Sequence, residues 1–160
     1  MADIESSDNE LPEKWLKLAY LANSGTIKEV RGLSQQQLNI IYRVGYSHYS
    51  SARYQEALII FRYLSLLDHR CHAYLLALGS TLKAMRQYSP ALPVLDLAEQ
   101  ANKQDPRAAV CKAACLIELN DMQSAINLLI KVESIAKKSP LQWGGLLQQI
   151  KRLKSFTDYQ

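Results

Sequence analysis

Apolar residues recur at the three-to-four-residue spacing of amphipathic helices along most of the chain, from about residue 10 to residue 156. The pattern also repeats: segments that start at residues 45, 79 and 113 align when the chain is shifted by 34 residues each time. Four kinds of landmark keep this register, namely Gly45/Gly79/Ala113, Tyr54/Tyr88/Met122, Ala57/Ala91/Ala125 and Phe61/Leu95/Leu129. Small residues in register indicate helices that approach each other closely, and the large apolar residues fill the space between helix pairs.

A period of about 34 residues is that of the tetratricopeptide repeat, a hairpin of two helices. The sequence therefore predicts an all-α fold, an α-solenoid of three such repeats with hairpins at about 35–68, 71–103 and 106–137. A helix at about 10–23, ended by Gly25, and a last helix at about 140–156 cap the two ends of the stack. The regions are then 1–34 (acidic segment and helix), 35–137 (repeats) and 138–160 (capping helix and tail).

Capping residues support this phasing. Ser34 followed by Gln37 is a capping-box pattern at the start of the first hairpin. Ser89, Asp105 and Ser139 each precede a proline, which predicts a side-chain cap followed by proline at the first helical position. Pro93 is expected within the first turn of its helix, where its missing N–H costs little.

The first helix of each hairpin should line the concave side of the stack. The phasing places nine residues there: Tyr42, Tyr46, Tyr49, Leu76, Ser80, Lys83, Val110, Ala114 and Ile117. The three tyrosines could instead be core residues, but Ile41, Val44 and Gly45 are predicted to fill the core positions of that helix. A stripe of amphipathic rings on a concave face suits an extended peptide, whose apolar side chains it grips and whose backbone it hydrogen-bonds.

The same positions argue against one well-known kind of ligand. Repeat adaptors that bind acidic C-terminal tails use Lys and Asn on the inner face of their first repeat, whereas this chain has Tyr42 and Tyr46 there. The groove is predicted to be apolar and aromatic, with an apolar segment as its ligand.

Composition and charge exclude several classes of function. Apolar residues make up 48% of the chain and charged residues 21%, which is globular, and the net charge of +4 is mild. The tail from Lys131 onward is basic, but no base-reading element accompanies it, so direct nucleic-acid binding is not expected. No apolar run approaches the roughly 18 residues of a membrane helix, and no secretory signal is recognisable.

No catalytic, metal or cofactor motif accompanies the repeats. Cys71, Cys111 and Cys115 are predicted to be buried thiols in a reducing compartment, and Cys111 and Cys115 lack the further ligands of a metal site. His69 and His72 are expected to cap and pack at the junction of the first two hairpins. We expect a binding protein without cofactor, and not an enzyme.

Several short motifs accompany the repeats, namely Gly25-Thr26-Ile27, Leu33-Ser34 and the aromatic helix Tyr42 to Tyr49. They continue in the spacing Tyr54, Ala57, Phe61, Leu64 and Leu67, closed by Asp68-His69, and in Asp105-Pro106-Arg107 before the third repeat. On these motifs, the region from about residue 18 to 137 resembles the class II chaperones of bacterial type III secretion systems.

This resemblance implies a chaperone of the bacterial cytoplasm that keeps hydrophobic, pore-forming translocator subunits soluble and competent for secretion. It also implies that an extended client segment lies along Tyr42, Tyr46, Tyr49 and Leu76. Homodimerisation through an N-terminal stripe of Trp15, Leu18, Ala19 and Ala22 is a further expectation. Two alternatives stay open: a chaperone for another secretion component, and a transcription co-regulator that acts with an activator protein.

Overall fold

The computed structural model describes residues 25–157, which form eight α-helices and no β-strand. The helices are α1 (Ile27–Val30), α2 (Gln35–Ser50), α3 (Tyr54–Leu67), α4 (His72–Ala84), α5 (Tyr88–Ala101), α6 (Arg107–Glu118), α7 (Met122–Ala136) and α8 (Pro140–Thr157). The predicted all-α repeat fold is confirmed, and six helix boundaries agree with the predicted hairpins to within two residues. The helix predicted at 10–23 lies outside the described residues.

The helices stack in chain order as three antiparallel hairpins. Helices α2 and α3, α4 and α5, and α6 and α7 pack as pairs, and each pair contacts the next. The first helices also touch one another along the stack, α2 with α4 and α4 with α6, and α8 packs against both α6 and α7. Helix α8 therefore takes the place of a fourth first helix, and α2, α4, α6 and α8 form one continuous row.

The repeated landmarks lie where the two helices of a hairpin meet. Ala57, Ala91 and Ala125 are fully buried, as are Phe61, Leu95 and Leu129. The glycines allow close approach: a Cβ on Gly45 would lie 2.8 Å from Phe61 Cε1, and one on Gly79 would lie 2.5 Å from Leu95 Cδ2. The close helix approach predicted at the small residues is confirmed, whereas Phe61 and Leu95 pack against the first helix of their own hairpin.

Each hairpin turns through one residue in the left-handed region, again in the 34-residue register. These residues are Ala52 (φ 57°), Arg86 (φ 59°) and Asn120 (φ 61°). In each turn the N–H of the following residue donates to a carbonyl five residues earlier, for example Arg53 N to His48 O at 2.9 Å. The turn closes the first helix as a helix C-cap does and starts the second helix directly afterwards.

The predicted capping box of Ser34 and Gln37 is present. A second box, between Thr26 and Glu29, opens α1 and was missed, although Thr-x-x-Glu is the same signal. The backbone N–H of Arg107 donates to Asp105 Oδ1 at 3.0 Å, but Pro106 is the N-cap of α6 and Arg107 its first residue, so the predicted placement of this proline at the first helical position is wrong.

Two predictions about α5 are wrong. The helix begins at Tyr88, with Gln87 as its N-cap and no side-chain cap, so Ser89 already lies inside the helix. Pro93 is consequently the sixth helical residue and lies beyond the first turn. The left-handed turn at Arg86 sets the start of this helix, and the serine does not.

The placement of Val44 in the core is also wrong, because its side chain is 47% exposed. The buried face of α2 runs instead through Leu38 and Gly45, with Ile41, Tyr42 and Tyr49 partly buried against the core. Tyr42 and Tyr49 thus pack against the core while part of each side chain stays exposed.

Candidate peptide-binding groove

Three tyrosine rings form a row along α2. The ring centroids of Tyr42 and Tyr46 lie 6.5 Å apart with an interplanar angle of 23°, and those of Tyr46 and Tyr49 lie 6.4 Å apart at 29°. Tyr42 also contacts Phe61, with 5.6 Å between ring centroids, and Tyr49 meets Tyr54 edge to face at 5.6 Å. The outer rings of the row are therefore anchored on the core, whereas Tyr46 is 57% exposed.

These rings line an open cavity of about 140 Å³ between α2 and α4. Leu76, Ala77 and Ser80 of α4 form the opposite wall, with Phe61 and Arg107 completing it. Burial raises the pKa of Tyr42 and of Tyr49 above the ordinary tyrosine value, so both remain neutral phenols. This first cavity offers apolar ring faces together with hydroxyl groups, as an extended peptide requires.

Two further cavities continue the groove along the row of first helices. The second, of about 230 Å³, lies between α4, α6 and α8 and is lined by Leu76, Ser80, Lys83, Arg107, Val110, Cys111, Leu146 and Gln149. The third, of about 290 Å³, is lined by Lys83, Tyr88, Ala114, Ile117, Glu118, Leu153 and Phe156. All nine residues predicted to line the groove thus border one of three adjoining cavities.

The nine residues do not contribute equally. Val110 is only 1% exposed because it packs in a core cluster with residues of α7 and α8, so it forms the back of the cavity wall. Ala114 and Ile117 are half-buried and open toward Leu153 and Phe156 of α8. Val110 therefore contributes little accessible surface to the groove.

A buried polar cluster holds Arg107 at the centre of the groove. Its Nε donates to Asp105 Oδ1 at 3.0 Å and its Nη2 donates to Asp105 Oδ2 at 2.5 Å. His72 braces the same carboxylate, with Nε2 3.0 Å from Asp105 Oδ2 and Nδ1 2.8 Å from the carbonyl of Ala98. His72 thus packs at a hairpin junction as predicted, although the junction is that of the second and third repeats.

Comparisons with known proteins agree with this geometry. No family model matches the chain. It is 29% identical over 122 residues to the low calcium response locus protein H of Yersinia pestis, which covers 76% of this chain and 73% of that protein. The structure superposes on the translocator chaperone SycD of Yersinia enterocolitica with a TM-score of 0.76 and 25% identity, covering 85% of this chain and 98% of SycD.

The third comparison concerns a client complex. PcrH of Pseudomonas aeruginosa, solved with the chaperone binding region of PopB, superposes with a TM-score of 0.71 and 25% identity over 76% of this chain and 98% of PcrH. The chain is a homologue of the type III secretion translocator chaperones. Like SycD and PcrH, this homologue is a helical repeat protein of the tetratricopeptide type.

Some groove residues of this translocator-chaperone homologue were missed by sequence reasoning. Arg107 lies three residues before Val110, so extending the predicted stripe backwards by one helical turn would have found it. Leu146, Gln149, Leu153 and Phe156 recur at the same spacing as the inner residues of α6, yet the last helix was interpreted only as a cap. Reading α8 as a fourth first helix would have revealed them.

The remaining predicted features of the homologue have mixed outcomes. Trp15, Leu18, Ala19 and Ala22, the predicted dimer stripe, lie outside the described residues, and homodimerisation stays a prediction. Cys111 and Cys115 are buried free thiols as predicted, whereas Cys71 is only half-buried. Within residues 25–157 no helix is both long enough and apolar enough to cross a bilayer.

Proposed function

We propose that this protein is a chaperone of a bacterial type III secretion system that binds hydrophobic translocator subunits in its concave groove. It acts in the bacterial cytoplasm before export, by binding alone and without catalysis. The observation that carries the proposal is the open tyrosine-lined cavity in a fold shared with PcrH, which binds the chaperone binding region of PopB.

The groove chemistry fits an unfolded, apolar client segment. An extended segment places alternate side chains on one side, where the first cavity can take an apolar anchor between Tyr46 and Leu76. The tyrosine hydroxyls and Ser80 are then available to the backbone polar groups of the segment. Because translocators expose membrane-seeking surface before assembly, covering that surface keeps them from aggregating.

Co-expression tests the proposal directly. Each of the two translocators encoded in the same secretion gene cluster is produced with and without this chain, and the soluble fraction and the mass of the purified complex are measured. We expect each translocator to become soluble only in the complex. A needle subunit and an export-gate component, tested in parallel, separate this proposal from the alternative of another secretion client. Translocators that stay insoluble in the presence of the chain would contradict the proposal.

A further inference from the structure

Two cationic side chains line the middle of the groove. Lys83 from α4 and Arg107 from α6 line the second cavity together, and no Asp or Glu of residues 25–157 lines it with them. The rest of the lining that reaches the surface is apolar or uncharged, including Leu76, Leu146 and Gln149. The sequence analysis placed Lys83 in the groove but did not predict that Arg107 lies beside it.

Asp105 holds the Arg107 side chain in place but does not occupy all of its hydrogen-bond donors. Asp105 engages Nε and one N–H of Nη2, and Nη1 makes no hydrogen bond to any residue of the described part of the chain. The side chain is 54% exposed and its guanidinium carbon lies 6.0 Å from the ring centroid of Trp143. A guanidinium held by a buried carboxylate on one edge and free on another is pre-organised to bind a second acceptor.

Lys83 has no carboxylate partner among the described residues. Among residues 25–157 no carboxylate oxygen lies within 4.0 Å of its Nζ, although its side chain is half-buried. Glu118 borders the third cavity beside Lys83, where it lies next to Tyr88. Lys83 also affects the neighbouring thiol of Cys111. A hydrogen bond from Cys115, together with the positive charge of Lys83, lowers the pKa of Cys111 to about 6. The Asp105 carboxylate and a Cys111 thiolate offset this positive charge, but no carboxylate lines the space between the two cations themselves.

A purely apolar client segment would cover these cations without replacing the water that solvates them, and such desolvation is unfavourable. A carboxylate in the same place offers both cations a charged hydrogen-bond acceptor. A client lysine would be repelled. The cavity therefore discriminates between segments that are equally apolar elsewhere.

We propose that Lys83 and Arg107 select client segments that carry an Asp or Glu beside their apolar anchor, with the anchor in the tyrosine-lined cavity and the carboxylate between the two cations. This inference rests on the proposed chaperone function and adds a specificity rule to it. Lys83 and Arg107 are then the specificity-determining residues of the groove.

The test uses overlapping synthetic peptides of the two translocators, labelled with fluorescein and titrated with the full chain. For the tightest-binding peptide, each Asp or Glu is replaced by Asn or Gln, and separately by Lys. We expect one acidic position at which the neutral replacement weakens binding about fivefold to tenfold, the size of one partly exposed charge pair, and the Lys replacement weakens it further. The difference should shrink between about 0.05 and about 0.5 M salt.

Variants of the chaperone complete the test. Lys83→Glu should weaken binding of the acidic peptide and strengthen binding of the Lys-substituted peptide, because the new glutamate repels the first and attracts the second. Lys151→Glu is the control, since Lys151 is exposed on α8, borders none of the three cavities and changes the net charge equally. Arg107→Gln provides a second variant, with circular dichroism to confirm that loss of the Asp105 pair leaves the helices folded.

The outcomes separate this inference from the proposed function. Peptides that bind with the same affinity whatever their charge, or equal effects of Lys83→Glu and Lys151→Glu, would overturn the inference and leave the chaperone function standing. Failure of every translocator peptide to bind would overturn both.

Discussion

The close approach of the two helices in the second repeat can be tested with a single methyl group. In Gly79→Ala the new Cβ would lie 2.5 Å from Leu95 Cδ2 and 2.7 Å from Leu95 Cγ. Carbon atoms in favourable contact are about 3.5 to 4.0 Å apart, so the overlap is about 1 Å. Leu95 is fully buried, so any movement of its side chain must take place within the packed core.

The two opposing effects on the free energy of unfolding can be weighed. Overpacking of this kind costs about 1 to 3 kcal/mol, whereas alanine is favoured over glycine in a helix by about 1 kcal/mol. We expect Gly79→Ala to be destabilised by about 1 kcal/mol, which for a chain of this size lowers the melting temperature by about 2 to 4 °C.

Thermal and urea unfolding followed by circular dichroism measure this difference. Gly145→Ala is the matched control, because Gly145 also lies in a helix but a Cβ there meets no atom within 4 Å. We expect the control to be stabilised by about 0.5 to 1 kcal/mol. If Gly79→Ala proves as stabilising as Gly145→Ala, the close packing of α4 on α5 is not as the structure shows it.

Three further predictions concern the turn, a thiol and an acid. Ala52→Gly should raise the free energy of unfolding by about 0.5 to 1 kcal/mol, because Ala52 has a φ of 57° and glycine adopts this left-handed conformation without strain. Unchanged stability in urea unfolding would contradict this prediction. The rate at which iodoacetamide alkylates Cys111 should increase as the pH rises through about 6 and then level off. This reaction should be absent in Cys111→Ser and slower when client is bound. A midpoint near the ordinary thiol pKa would contradict the prediction. Burial tends to raise the pKa of Asp105, but hydrogen bonds from Arg107 outweigh burial and hold the pKa below its usual value. Stability from this group is therefore present above the unfolded pKa of roughly 4 and lost as the pH falls further, so the stability deficit of Asp105→Asn should shrink in acid; a deficit that is independent of pH would contradict this.

The repeat architecture could be predicted from sequence because its period is encoded by residues whose size matters. Gly45, Gly79 and Ala113 mark the helix contacts, and the spacing between them sets the hairpins. Local capping signals were less reliable. Near Ser89 the hydrogen-bonded turn through Arg86 determines where the helix begins. That turn needs a left-handed backbone conformation, which an arginine in the sequence does not indicate.

Of the candidate site, only the residues whose position follows from the phase of a helix could be predicted. The phase of α2 located Tyr42, Tyr46 and Tyr49 on the concave side, but it assigned Val44 to the core, since one position along a helix changes direction by about 100°. Of the two cations at the centre of the groove, Lys83 was predicted and Arg107 was missed for another reason. Arg107 comes from the first turn of α6, and its direction depends on Asp105 and His72, which meet only after the second and third repeats stack.

The central claim is that the client lies against the tyrosine row on the concave side, and two tyrosines test it. Tyr46 is 57% exposed in the groove, and Tyr63 is 44% exposed on the face of α3 that points away from its buried residues. The measurement is the affinity of a translocator's chaperone-binding peptide for the wild-type chain, Tyr46→Ala and Tyr63→Ala by fluorescence titration. We expect Tyr46→Ala to weaken binding by about 2 kcal/mol, roughly thirtyfold, and Tyr63→Ala to leave it unchanged. Full affinity in Tyr46→Ala, with the helical spectrum intact, would contradict the assignment of the groove.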